Sequence, residues 1–102
     1  VPRVISVGAS VKGGGVWENS SLGSQTTSDG ELRTNPNLKP EILAPGENIV
    51  STGIGDTWYT SSGTSDSTVF VTAALALILQ DQPDFCPIQV QTGPVLTKLN
   101  LH

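Results

Sequence analysis

Ser62-Gly63-Thr64-Ser65-Asp66 leads through Ser67 and Thr68 into Val69-Phe70-Val71-Thr72-Ala73-Ala74-Leu75-Ala76-Leu77-Ile78-Leu79-Gln80. Hydroxyl-bearing residues before an apolar run, with an acidic residue in the first turn, predict a helix start. Pro83 predicts its end, because proline cannot donate to the preceding turn. Between Val69 and Leu79 only Thr72 is polar. Such a helix has no face suited to water and must be wrapped by protein on every side. The few short strands and one further helix that the rest of the chain offers are too little to wrap it. The sequence is therefore expected to lie at the centre of something larger than itself.

Working outward, Val4-Ile5-Ser6-Val7-Gly8-Ala9 is β-branched and apolar and predicts a buried strand. Ser10 to Leu38 is rich in Gly, Ser, Thr, Asn and Asp, without a sustained period, and predicts loop or short edge structure. Its turn signals are Gly13-Gly14-Gly15, Asp29-Gly30 and Asn35-Pro36. Lys39-Pro40-Glu41-Ile42-Leu43-Ala44-Pro45-Gly46 predicts a short strand closed by a Pro-Gly turn, and Asn48 to Gly53 a second one. Ile54-Gly55-Asp56 is expected to turn that strand into Thr57-Trp58-Tyr59-Thr60 as a hairpin partner. Beyond the helix, Ile88, Val90, Val95, Leu96, Leu99 and Leu101 suggest a terminal amphipathic helix over Pro87 to Leu101, broken or kinked at Gly93-Pro94.

Length and composition narrow the function classes. The chain has 102 residues, enough for one small domain. A chain of this size buries only about 60–65% of the surface its unfolded form exposes, so a large private core is not expected. Five Lys+Arg against nine Asp+Glu give a formal net charge of −4, the reverse of what phosphate contacts with nucleic acid require. The longest strongly apolar stretch, Ala73 to Leu79, is too short to span a bilayer. A single cysteine, Cys86, excludes a disulfide within the chain and reads as a small buried apolar residue. The absence of methionine suggests that the sequence is cut from a longer one.

Ser65 is the candidate nucleophile. A serine hydroxyl attacks poorly until a base removes its proton, and the oxyanion formed must be met by fixed donors. The amino end of a helix supplies unpaired amides and a positive field, and the Ser65 amide is one of them. A lone serine at a helix start would more simply cap it, and capping by Thr64 or Ser65 is the plain alternative.

Four motifs in order alter that balance: Val4-Ile5-Ser6-Val7-Gly8-Ala9, Lys39-Pro40-Glu41-Ile42-Leu43-Ala44-Pro45-Gly46, Ile49-Val50-Ser51-Thr52, and Tyr59-Thr60-Ser61-Ser62-Gly63-Thr64-Ser65. Together they resemble the subtilisin-like serine proteases, and the loop from Ser20-Ser21 through Asp29-Gly30 resembles the family's approach to its Lys-Pro strand. The resemblance runs from about Val1 to Leu99 but matches only the C-terminal part of a family catalytic domain. It implies an α/β fold: short strands, a buried central helix starting at the nucleophile, and a terminal amphipathic helix. Residues 1–102 would be a C-terminal segment, incomplete on its own. It implies a hydrolase whose acylated nucleophile is Ser65, with backbone support from Ser65, Thr64 and Gly63. The family's Asp, His and oxyanion Asn come from preceding segments. His102, the only histidine, is the last residue and a poor base candidate. The isolated chain is expected to be nearly inert.

The implied partners are a peptide or protein substrate and the missing N-terminal part of the same domain, with self-association through the helix as another way to cover it. No nucleic acid, membrane span or cofactor is expected. Calcium sites are common in the family, but no ligand set maps onto this stretch. The resemblance implies a secreted or cell-surface location. A non-catalytic binding or assembly module retaining the fold segment is the competing reading, and a small β-rich domain with a coincidental Gly-Thr-Ser ranks last.

The chain also departs from the family pattern. Met, small residues and Pro-His-Val-Ala-Gly usually follow the nucleophile, where this chain has Asp66-Ser67-Thr68-Val69-Phe70-Val71-Thr72-Ala73. Asp66 is expected to face solvent as a cap-like charge worth about 0.3–1 kcal/mol at the helix start, so that its loss costs stability more than turnover. Asp29, Glu31 and Asp56 read as solvated loop carboxylates, and Trp17 and Trp58 as half-buried packing residues.

Overall fold

The computed structural model describes residues 4–34 and 38–84. Four strands precede one helix: β1 (Val7–Ser10), β2 (Ile42–Pro45), β3 (Ile49–Gly53), β4 (Thr57–Ser61) and α1 (Thr64–Asp81). β1 and β2 pair in parallel, Val7 opposite Ile42 and Ser10 opposite Pro45. β3 and β4 form a separate antiparallel hairpin, Ile49 opposite Ser61 and Gly53 opposite Thr57. The expected strands, hairpin and helix are present. The expected terminal helix, Cys86, His102 and the Asn35-Pro36 turn lie outside the described residues.

The core sits where α1 crosses the β1–β2 pair. Gly8, Ala9 and Ser10 are buried in succession, so both faces of β1 are covered. The free edge of β1 is closed by the following loop: Ala9 N–H donates to Ser20 Oγ at 2.8 Å, and Trp17 N–H donates to Ala9 O at 2.9 Å. These bonds satisfy backbone groups that would otherwise be an open template for another strand. The fully buried hydrophobic side chains are small, Ala9, Ala44 and Val71, as suits a helix lying close on a sheet.

The hairpin turns at Ile54-Gly55-Asp56, with Gly55 and Asp56 at φ 71° and 64°. Left-handed backbone at these two positions suits glycine and a short polar residue. Both faces of the hairpin are open, and Trp58 is 76% exposed, which corrects its expected half-buried place. Trp17 is half-buried as expected, and Asp29, Glu31 and Asp56 are exposed.

Within the described residues α1 is not wrapped on every side, in keeping with the expectation that this chain alone is too little to cover it. Of α1 only Ser67 and Val71 are buried, whereas Val69 is 68% and Leu77 69% exposed. The physical reason is supply: one two-stranded sheet covers one stripe of a helix, and the hairpin does not reach the other side. Thr68 and Thr72, polar breaks in the sequence, donate their hydroxyls to the carbonyls of Thr64 and Thr68 at 2.9 and 2.8 Å.

A buried ionic clasp joins the entries of the two parallel strands. Lys39 and Glu41 form an ion pair, their side chains 10% and 2% exposed. Lys39 Nζ also donates to Val4 O at 2.8 Å, while Glu41 Oε2 accepts from the Ser6 amide and, at 3.1 Å, from Ser6 Oγ. The Gln25 side chain holds the Lys39 backbone from the other side, its Oε1 accepting from Lys39 N–H at 3.1 Å. Removing one member of such a pair leaves a buried charge without its counterpart. Lys39→Met or Glu41→Leu alone is expected to cost about 3–5 kcal/mol in urea unfolding of the full-length protein, whereas the double variant recovers most of that loss.

Candidate active site

α1 begins without a side-chain cap. Gly63 is its N-cap, and neither Thr64 nor Ser65 bonds back to the first turn as a cap would. The Gly63 carbonyl accepts from the amides of Asp66 and Ser67 at 3.2 and 3.4 Å. The amides of Thr64 and Ser65 find no acceptor among the described residues. Ser65 is exposed at the second helical position. Its neighbour Thr64 is half-buried, with Oγ1 3.5 Å from Ser21 Oγ. The structure thus brings Gly63, Thr64 and Ser65 together as an accessible hydroxyl beside two free amides. That arrangement can present a nucleophile and stabilise negative charge on an adjacent oxygen.

What fixes this helix start, besides Gly63, lies in Gly46 and Ser67, to which the sequence reading gave no role at the site. Gly63 N–H donates to Gly46 O at 2.7 Å, joining the residue before α1 to the residue after β2. Ser67, fully buried, donates its hydroxyl to Pro45 O at 3.2 Å. The backbones come so close that a side chain at position 46 would collide. A Cβ there would lie 2.6 Å from Ala9 Cβ and 2.8 Å from Gly63 O, with Ser67 Oγ nearer still. The available signal was the small size of Ala9 on β1, Gly46 just after β2, Gly63 just before α1 and Ser67 within α1.

Asp66 differs from its expectation. It is half-buried, and its Oδ1 accepts from Ser61 Oγ at 2.8 Å, so it is tied to the last residue of β4 rather than turned to solvent as a cap. Among the described residues no three His, Cys, Asp or Glu gather to hold a metal ion, and no helix is long and apolar enough to cross a membrane.

Comparison with known proteins shows the family of the chain as a whole. The subtilase family model matches residues 1–99, and the chain belongs to this family. Over 67 aligned residues it is 39% identical to serine protease AprX of Bacillus subtilis, covering 52% of this chain and 15% of that protein. Over 65 residues it is 42% identical to subtilisin-like protease SBT3.16 of Arabidopsis thaliana, covering 61% of this chain and 8% of that protein. Subtilisin Savinase of Lederbergia lenta is 39% identical over 67 residues, covering 61% of this chain and 25% of that protein. The chain therefore spans a quarter or less of the length of these relatives.

The close approach at Gly46 gives a direct test of how the site is held. Gly46→Ala is expected to lower stability by about 1–3 kcal/mol, through overpacking against Ala9, Gly63 and Ser67. Gly15→Ala is the control: its Cβ would meet only Val11 Cγ2, at 3.6 Å. Its stability should stay within about 0.5 kcal/mol of the parent when both are followed by thermal unfolding.

Proposed function

We propose that this chain is the nucleophile-bearing C-terminal segment of a subtilisin-like serine endopeptidase. The observation that carries the reading is Ser65, exposed at the start of α1 beside the free amides of Thr64 and Ser65, within a chain of the subtilase family. Ser65 Oγ attacks the carbonyl carbon of a peptide bond while its proton passes to a histidine from the preceding polypeptide. The oxygen of the tetrahedral intermediate takes its charge beside the Ser65 amide, supported by the geometry of Gly63 and Thr64. The C–N bond then breaks, the amine leaves with the histidine's proton, and Ser65 is left as an ester. Water, deprotonated by the same histidine, cleaves that ester and restores the hydroxyl.

The substrate class is a peptide or protein. Two features support the need for more polypeptide: the described residues hold no histidine, and the apolar side chains of Val69, Phe70 and Leu77 on α1 are open to solvent. The preceding part of the same catalytic domain is the partner that would both cover this face and supply the base, the orienting aspartate and the oxyanion asparagine. Association of α1 with a second copy of the chain would cover the face without creating an active site. The proposed secreted or cell-surface location rests on family resemblance alone.

A fluorophosphonate probe reports on an activated serine. Labelling is expected at Ser65 when this chain is combined with the preceding polypeptide, and to vanish in the Ser65→Ala variant of that combination. The chain alone should remain unlabelled. Labelling of the isolated chain would overturn the assigned source of the base. An unlabelled complete domain would favour the non-catalytic binding module.

A further inference from the structure

Two side-chain hydrogen bonds hold the turn that carries Ser65, and they leave it in different directions. Asp66 Oδ1 accepts from Ser61 Oγ at 2.8 Å, joining that turn to the last residue of β4. Ser67 Oγ donates to Pro45 O at 3.2 Å, joining it to the last residue of β2. Consecutive residues of a helix point about 100° apart, so the pair of bonds restrains both rotation about the axis and sliding along it. Of the two, the Ser67 bond comes from a fully buried side chain and is part of the helix–sheet packing. The Asp66 bond reaches instead to a hairpin that is open on both faces.

A carboxylate at this helical position commonly turns back to the N-cap amide. Here that amide is already bonded to Gly46 O, and α1 has no side-chain cap. Asp66 is thereby released from capping and committed to Ser61. Its direction also matters electrostatically. A negative charge swung toward the Ser65 amide would oppose the oxyanion forming there. The Ser61 hydroxyl holds Oδ1 toward β4.

We propose that Asp66 is a positioning residue for the nucleophile: its bond to Ser61 holds the first turn of α1, and with it Ser65 Oγ, in the orientation required for attack. This rests on Ser65 being the nucleophile. It also reverses the expectation drawn from sequence: loss of the Asp66 side chain acts on turnover more than on stability. The acceptor oxygen is what counts, so an amide at this position retains the function.

The test uses the full-length protease, with kcat, KM, the rate of fluorophosphonate labelling and the melting temperature measured for each variant. Misplacement of a reacting group by about 1 Å costs on the order of 100-fold, so Asp66→Ala is expected to lower kcat by about 10–100-fold with KM within about two-fold. Ser61→Ala lowers kcat in the same direction, and the labelling rate falls in step for both. The double variant is no slower than the slower single one, because both substitutions remove the same bond. Asp66→Asn keeps Oδ1 and stays within about three-fold of the parent.

Additive losses, an Asp66→Asn variant as slow as Asp66→Ala, or unchanged kcat in Ser61→Ala would each overturn the proposal. Should Asp66→Ala fail to fold, Ser61→Ala and Asp66→Asn decide the matter between them. The two assignments fail separately. A parent enzyme that labels at a residue other than Ser65 removes the nucleophile assignment, whereas a parent labelled at Ser65 with indifferent variants removes only the role of Asp66.

Discussion

The hydrogen bond from Gly63 N–H to Gly46 O, 2.7 Å long, brings the end of a parallel strand within backbone contact of the start of the helix. Such proximity is possible only where side chains are absent or small. Gly46 has none, Ala9 offers a methyl group, and Ser67 replaces bulk with a hydroxyl that finds Pro45 O. From this contact follow the position of α1 on the β1–β2 pair and the placing of Ser65, the exposed second residue after the N-cap. The nucleophile candidate is thus placed by backbone packing and by residues with almost no side chain. A larger residue at any of these points would push the helix start outward and carry Ser65 with it.

A second constraint lies at the other end of the same strands. Lys39, Glu41 and Ser6 close the entries of β1 and β2 with buried charge, while Gly46 and Ser67 close their exits by close contact. The short parallel pair is only four residues deep, and each end is fixed by a different kind of interaction. Charge burial is costly unless every lone pair and proton is met. Here Glu41 is met by Lys39 and Ser6, and Lys39 by Glu41 and the Val4 carbonyl.

Most elements were legible from sequence because their signals are local. The β-branched run near Val7, the Ile54-Gly55-Asp56 turn and the hydroxyl-rich entry to α1 each encode their own conformation. Ser65 was legible as a candidate for another reason: four motifs in a fixed order resemble one family. The contacts that hold it were not legible, since Gly46 meets Gly63 and Ser67 only after the chain has folded. Asp66 was misread on the same grounds, because a helix-start carboxylate normally caps and nothing local announces Ser61 as its partner. The buried Lys39 was missed as well: its burial depends on Val4 and Ser6, which lie 35 residues from their partners. The apolar run of α1 was read correctly as a sequence, but its enclosure is not supplied by the described residues, whose one sheet covers a single stripe.

The threonines of α1 carry a consequence of their own. Thr68 and Thr72 each return their hydroxyl to a carbonyl one turn earlier in the same helix. A hydroxyl whose proton is satisfied in this way needs no acceptor from whatever lies alongside it, whether water, hydrocarbon or another protein surface. The rod can accordingly exchange a wet environment for a dry one without breaking either of these bonds. The hydroxyl protons of Thr68 and Thr72 stay bonded throughout, so these two side chains meet a dry surface at a lower dehydration cost than free hydroxyls would.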